Sequence, residues 1–324
     1  MIITRTPFRV SLCGGGSDLE AFYKKNGGCV ISLTINKYMY ITSHPSFDSN
    51  DTVLKYSKIE KVCSVKDIEH KIFKECLKQE RIKGLEITSI ADIPQGTGLG
   101  SSSSFAVGLI HNLKCHKREY VSKLELAEEA CNIEINKLGK CIGKQDQYAA
   151  SFGGLNYYQF NKNGKVDVVP IMMNKLSLDK LENNLIMLYI GGEHDASKIL
   201  EEQSNNMSNV DKENIQKEIR DLTIKLRYEL EHNNVDYVGE VLDKNWQLKK
   251  QLASGISNKE FDKLYDMAIK SGATGGKILG AGGSGFFLFY VPLNKQDNFR
   301  KKMSKYRELK FKFDFLGSTV IFVG

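Results

Sequence analysis

The chain has 324 residues, 41% of them hydrophobic, and a formal net charge of +7. This length allows two ordinary domains or one large one around a sizeable core, and no stretch reaches the roughly 18 uninterrupted apolar residues of a membrane helix. Seven scattered cysteines without a C-x-x-C pair, and six histidines without ligand spacing, speak against a disulfide framework and a zinc site. The start MIITRTPFRV alternates like a strand and carries no basic-then-apolar signal region, so a cytoplasmic protein is expected. The positive charge suits an anionic small-molecule ligand. The basic run RKKMSKYRELKFK, Arg300 to Lys312, reads as a solvated helix and edge strand, because no nucleic-acid motif accompanies it.

In chain order, IITRTPFRVSL and CVISLTINKYMYITS read as antiparallel strands across a glycine turn, and LEITSIADI, Leu85 to Ile93, as a further strand ending at Pro94. The apolar helix SFAVGLIHNLKCH follows a glycine loop directly. SKLELAEEACNIEINKL predicts a helix: Ser122 and Glu125 fit a capping box, and Leu124, Ala127, Ala130 and Cys131 recur on one face. GGLNYYQF with NKNGK predicts a hairpin. From Asn174 onward the pattern changes to a buried strand NLIMLYIGG, helical runs at Ile199–His232 and Tyr237–Leu252, and a helix near Phe261–Ser271. The strands FFLFYVP and STVIFV close the chain. Two α+β units are expected, 1–170 and 171–324.

Three segments hold more glycine than turns require. IPQGTGLGSSSS, Ile93 to Ser104, has Gly96, Gly98 and Gly100 around Thr97 and Leu99, then Ser101, Ser102, Ser103 and Ser104 opening a helix. Glycine lets successive backbone N–H groups converge on one point, and the helix start adds unpaired donors and a positive dipole end, so phosphate is favoured there. An ordinary turn with serine caps is the plainer alternative. The loop fits neither G-x-x-x-x-G-K-[ST] nor G-x-G-x-x-G. RTPFRVSLCGGGSDL sets Arg9 on a strand and Asp18 just after Gly14, Gly15 and Gly16; alone, Asp18 reads equally as the N-cap of LEAFYKKN and Arg9 as a structural ion-pair member. GATGGKILGAGGSG places Gly282 and Gly283 in a wall before a buried strand, with Lys277 either a phosphate contact or solvent-exposed.

In this order and spacing the three segments resemble the GHMP kinases, the family of galactokinase, homoserine kinase, mevalonate kinase and phosphomevalonate kinase, over essentially the whole chain. Within the family, the start R-x-P-x-R-x-x-x-x-G-G-G-[ST]-D and the run GKQDQYAASFGGLNYY are most similar to the D-glycero-D-manno-heptose 7-phosphate kinases. Galactokinases carry a G-E-H-T-D type sequence where this chain has GGGSD, which argues against galactose and leaves other sugars, such as fucose, open. The resemblance implies an N-terminal domain like ribosomal protein S5 domain 2, a ferredoxin-like C-terminal domain, and an active site between them.

It also implies chemistry: ATP on Gly96 to Ser103, Mg2+ held by Ser102 and Glu134 (with Ser101 or Ser103 as alternatives to Ser102), and Asp146 taking or orienting the proton of the attacking hydroxyl. Arg9 would lie near Asp146 or the transferred group, and Asp18, Gly15, Gly16, Gly282 and Gly283 would face the acceptor. Gln145 and Gln147 would position Asp146 or contact the sugar, and Lys144 would serve a substrate phosphate or stay solvated. The implied reaction is transfer from ATP to the anomeric C1 hydroxyl of heptose 7-phosphate, giving the 1,7-bisphosphate on the way to nucleotide-activated heptose and surface polysaccharide. An anomeric kinase for another sugar, or a non-catalytic nucleotide- or sugar-binding regulator, are the alternatives. The implied partner is a small sugar or sugar phosphate, with no nucleic acid or membrane; the sequence leaves room for a homodimer.

Overall fold

A computed structural model describes residues 1–47, 51–191 and 196–324 of the chain. β1 (Ile2–Cys13), α1 (Glu20–Asn26) and the 18-residue β2 (Gly28–Pro45) come first. They are followed by the hairpin β3 (Thr52–Lys55) and β4 (Ile59–Val62), α2 (Lys71–Glu80), β5 (Leu85–Ala91), α3 (Ser101–His116) and α4 (Lys123–Cys131). A π-helical turn at Asn132–Lys137, α5 (Gln145–Phe152), β6 (Leu155–Phe160) and β7 (Val166–Pro170) complete this half.

β1 and β2 are antiparallel, with Phe8 opposite Ile35 and Val10 opposite Leu33. Their β-branched and aromatic side chains suit a pleated surface covered on both faces. β2 is long because it serves two partners: Gly28 to Leu33 pair with β6, and Met39 to Pro45 pair with β5. The expected hairpin at GGLNYYQF is β6 paired with β7. α3 packs its buried Phe105, Leu109 and Leu113 into the core beneath this sheet.

The second half runs α6 (Lys175–Asn184), β8 (Leu185–Gly191), α7 (Ala196–Asn206), α8 (Val210–Glu231), α9 (Tyr237–Lys249), α10 (Lys259–Lys270), β9 (Gly275–Ile278), β10 (Gly285–Tyr290), α11 (Gln296–Lys302), β11 (Arg307–Leu309), β12 (Phe313–Asp314) and β13 (Thr319–Val323). Among the described residues β11, β8, β10 and β9 form one sheet in that order. Its aromatic core stacks Phe287 on Phe289 and sets Trp246 edge-on to Phe287. β12 and β13 return to the first sheet, pairing with β2 and β1. The predicted final strand therefore forms, but it joins the sheet that begins the chain.

Local readings diverge from the structure in three places. The predicted helical run Ile199–His232 is two helices, because Asn209 accepts hydrogen bonds from the N–H groups of Asp211 and Lys212 and starts α8 afresh. The buried face of α4 uses Leu126 with Ala127, Ala130 and Cys131, and Leu124 points outward. The predicted strand NLIMLYIGG is β8, but its last residue, Gly192, lies outside the described residues.

The capping box forms as the spacing predicts: Ser122 Oγ accepts from Glu125 N at 3.2 Å, and Glu125 Oε2 accepts from Ser122 N at 2.7 Å. Ser122→Ala is therefore expected to destabilise the fold by about 1 kcal/mol, read as a lower urea midpoint at unchanged slope.

Candidate active site

Loop geometry follows from glycine placement. Gly96, Gly98 and Gly100 all have positive φ (76°, 79° and 77°), a conformation that costs glycine little and other residues about 1–2 kcal/mol. Gly100 stands at the N-cap of α3 with no side-chain cap bond, which leaves the first N–H groups of the helix available to an anion. Gly98 packs backbone to backbone against the C-terminal glycine segment: a Cβ on it would lie 2.4 Å from the Leu279 carbonyl oxygen. Across the gap, a Cβ on Gly280 would meet Gly98 Cα at 2.6 Å.

This loop forms one side of a cavity of about 300 Å³, the lower end of the size range of small-molecule sites. Arg9 enters from β1 and Asp146 from the first turn of α5. The guanidinium holds both carboxylate oxygens, Nε to Oδ1 at 2.7 Å and NH2 to Oδ2 at 2.9 Å. Such a fork fixes the carboxylate in place. Arg9 also donates from NH1 to the Gly98 carbonyl, and its backbone N–H bonds the Leu99 carbonyl at 3.1 Å. Strand, phosphate loop and α5 are thereby tied at one residue.

Glu134 sits on the π-helical turn after α4, a distortion frequently found at functional sites. Its fully buried carboxylate accepts from Ser102 Oγ, Ser103 Oγ and Gln147 Nε2, each at 2.7 Å. The Lys140 ammonium lies 2.9 Å from both Ser102 Oγ and Glu134 Oε1. That pair of oxygens therefore already faces a cation.

Asp18 does not cap α1, whose N-cap is Leu19 without a side-chain bond. Its carboxylate instead accepts from Gly16 N at 3.0 Å and from Gln145 N at 3.1 Å, at the start of α5. Burial pushes the Asp18 carboxyl up from its ordinary value; the Asp146 charge adds to this, and the two backbone donors oppose it. α7 and α8 close this side, with Gln203 Nε2 donating to Gln216 Oε1 at 3.2 Å beside the glycine turn.

Around one cavity the fold thus gathers Arg9, Gly15, Gly16 and Asp18, the loop glycines with Ser101, Ser102 and Ser103, and Glu134, Asp146 and Gly282. Leu99 and Gly283 are not on its wall: Leu99 is buried under the loop, and Gly283 N bonds the Ile256 carbonyl. Lys277 is neither a cavity contact nor exposed. It is buried, bonds the Ser11 carbonyl at 3.0 Å, and desolvation pushes it down to about 8. Lys144 reaches the β6–β7 turn, bonding the Gly164 carbonyl at 2.8 Å. Gln145 lines the cavity, whereas Gln147 supports Glu134 from behind. Lys140, Gln203 and Lys249 line the cavity too, and no motif in the sequence marks them.

A glycine loop on a helix start, with an arginine-held carboxylate packed beside it in a cavity between two sheets, is the arrangement of a phosphotransferase. The family model for the GHMP kinase N-terminal domain matches residues 64–154, and that for the GHMP kinase C-terminal region matches 226–308. The D-glycero-alpha-D-manno-heptose 7-phosphate kinase of Campylobacter jejuni is 31% identical over 94% of this chain and 93% of its own. The bifunctional fucokinase/GDP-fucose pyrophosphorylase of Arabidopsis thaliana is 25% identical, over 94% of this chain but only 31% of its own length. A crystal structure described as a D-glycero-D-manno-heptose 1-phosphate kinase from Bacteroides thetaiotaomicron shares the fold with a TM-score of 0.82, at 24% identity and full coverage of both chains. The chain belongs to the GHMP kinase family. It is an ATP-dependent phosphotransferase with an alcohol group as acceptor.

Gly96 and Gly98 separate strain from collision. An added Cβ at Gly96 meets nothing within 4 Å, whereas at Gly98 it meets backbone. Gly96→Ala is expected to cost about 1–2 kcal/mol of backbone strain. Gly98→Ala is expected to lower the melting temperature further and to weaken binding of a non-hydrolysable ATP analogue at least about tenfold, measured by calorimetry.

Proposed function

We propose that this protein is a sugar kinase that transfers the γ-phosphoryl group of ATP to the anomeric C1 hydroxyl of D-glycero-D-manno-heptose 7-phosphate, giving the 1,7-bisphosphate for nucleotide-activated heptose. The observation that carries phosphoryl transfer is the forked Arg9–Asp146 pair beside the start of α3. Support for the acceptor is the end-to-end similarity to the Campylobacter jejuni enzyme. Residues 1–170 form the ATP-binding unit in this reading and 171–324 the second, with the last strands returning to the first sheet. It acts in the cytoplasm, where ATP is supplied.

Phosphoryl transfer asks a protein mainly for alignment and for neutralisation of charge on the phosphate oxygens. The loop N–H groups and serines hold the β- and γ-phosphates. Asp146 accepts a hydrogen bond from the attacking hydroxyl and aims it. Because Arg9 engages both carboxylate oxygens and fixes their direction, Asp146 acts chiefly by orientation. Asp18, Gly15 and Gly16 meet the acceptor's hydroxyls. Ser102 Oγ and Glu134 would hold Mg2+: these two hard oxygens converge on a cation, the Lys140 ammonium, in the structure. When bound, the ion neutralises charge on the phosphate oxygens.

The similarity to the Arabidopsis fucokinase favours an unphosphorylated sugar as the second reading. An ATP-consumption assay across heptose 7-phosphate, heptose, fucose and galactose, with and without Mg2+, separates the two; silence with every sugar would sink both. Asp146→Asn, which cannot complete the fork to Arg9, is expected to lower turnover at least about a hundredfold through lost alignment with ATP binding largely kept, and activity near wild type removes Asp146 from the mechanism. Glu134→Gln is expected to weaken Mn2+ binding in the presence of the nucleotide at least about tenfold, read by electron paramagnetic resonance.

A further inference from the structure

Among the described residues, Arg9, Lys140 and Lys249 are the cations on the cavity wall. Arg9 is held by Asp146 and Lys140 by Glu134. Lys249, the last residue of α9, is different: its side chain donates to the Gly280 carbonyl, and no carboxylate among the described residues forms an ion pair with it. The residue is only 5% exposed. An ammonium has three donors and no acceptor, so two of its donors have no partner among the described residues. The helix C-terminus favours a cation there, but a single carbonyl leaves most of the desolvated charge uncompensated.

Its position adds to this. Gly280 is the residue that touches Gly98 of the phosphate loop. Asp18 is the one carboxylate whose charge favours the ammonium, yet both its oxygens are engaged by backbone N–H groups. We propose that Lys249 is the receptor for a terminal, anionic phosphoryl group inside the cavity. The inference deepens the kinase reading above and rests on it. Two sources supply this chemistry: the phosphate carried by the acceptor, and the phosphoryl group in transit from ATP. Burial, helped by Lys277 on β9 and Arg9 on β1 and opposed by Asp18, holds the empty-site ammonium well below its ordinary value. An arriving phosphate opposes this and favours the charged form.

The test compares wild type with Lys249→Met and Lys249→Gln. Both variants are expected to melt at or above the wild-type temperature, since an unpaired buried charge is removed. Heptose 7-phosphate, heptose and a non-hydrolysable ATP analogue are titrated by calorimetry, and turnover is measured separately. If the acceptor's phosphate is the ligand, both variants lose about 30-fold in affinity for heptose 7-phosphate and bind heptose as wild type does. If the group in transit is the ligand, ground-state affinities stay within about twofold while kcat falls at least about a hundredfold. Affinities and kcat all within about twofold of wild type overturn the proposal. Should wild type accept neither sugar, the acceptor assignment fails by itself, and orthophosphate binding decides Lys249: equal binding by wild type and variants rejects it.

Discussion

The guanidinium of Arg9 is the hinge on which the site's geometry depends. It is a strand residue, 4% exposed, that grips Asp146 through both carboxylate oxygens and the phosphate loop through the Gly98 carbonyl. A buried arginine without these partners would cost several kcal/mol. The fold therefore cannot place β1 correctly without also delivering α5 and the loop. Packing and chemistry are satisfied by the same three hydrogen-bonded groups, and the orientation of the proposed acceptor hydroxyl follows from where the arginine ends.

A second arrangement works by the same economy. Glu134 has no exposure, yet Ser102, Ser103, Gln147 and Lys140 all reach it. The π-helical turn pushes it out of the register that α4 would otherwise keep. Gln147 supports it from behind, so the start of α3, the end of α4 and α5 are braced against one carboxylate. Arg9 and Glu134 thus hold α5 from two sides, through neighbouring residues Asp146 and Gln147.

What the sequence disclosed divides along physical lines. The glycine segments were legible because excess glycine has few structural explanations, and the capping box because its two partners lie three residues apart. The family resemblance supplied Asp146 and Glu134, which periodicity alone does not distinguish. Asp18 was ambiguous for a definite reason: its partner, Gln145 N, is 127 positions away, so local reading offered only the nearby helix. Lys249 and Gln203 on polar helices, and Lys140 in a polar loop, escaped notice because such residues look solvated until tertiary packing turns them inward. The same blindness to long-range pairing hid the return of β12 and β13 to the first sheet.

The contact between the phosphate loop and the C-terminal glycine segment is made of main chain on both sides, Gly98 against Leu279 and Gly280, and Thr97 against Gly285. A seam of this kind has almost no side-chain identity to conserve and almost no slack. Residues elsewhere on the wall, on α7 and in the turn before α5, can change without disturbing this seam, so a proposed acceptor side could vary while the glycine loop keeps its shape. Donor and acceptor recognition are in this sense separable inheritances, joined along a strip where nothing larger than a hydrogen atom fits.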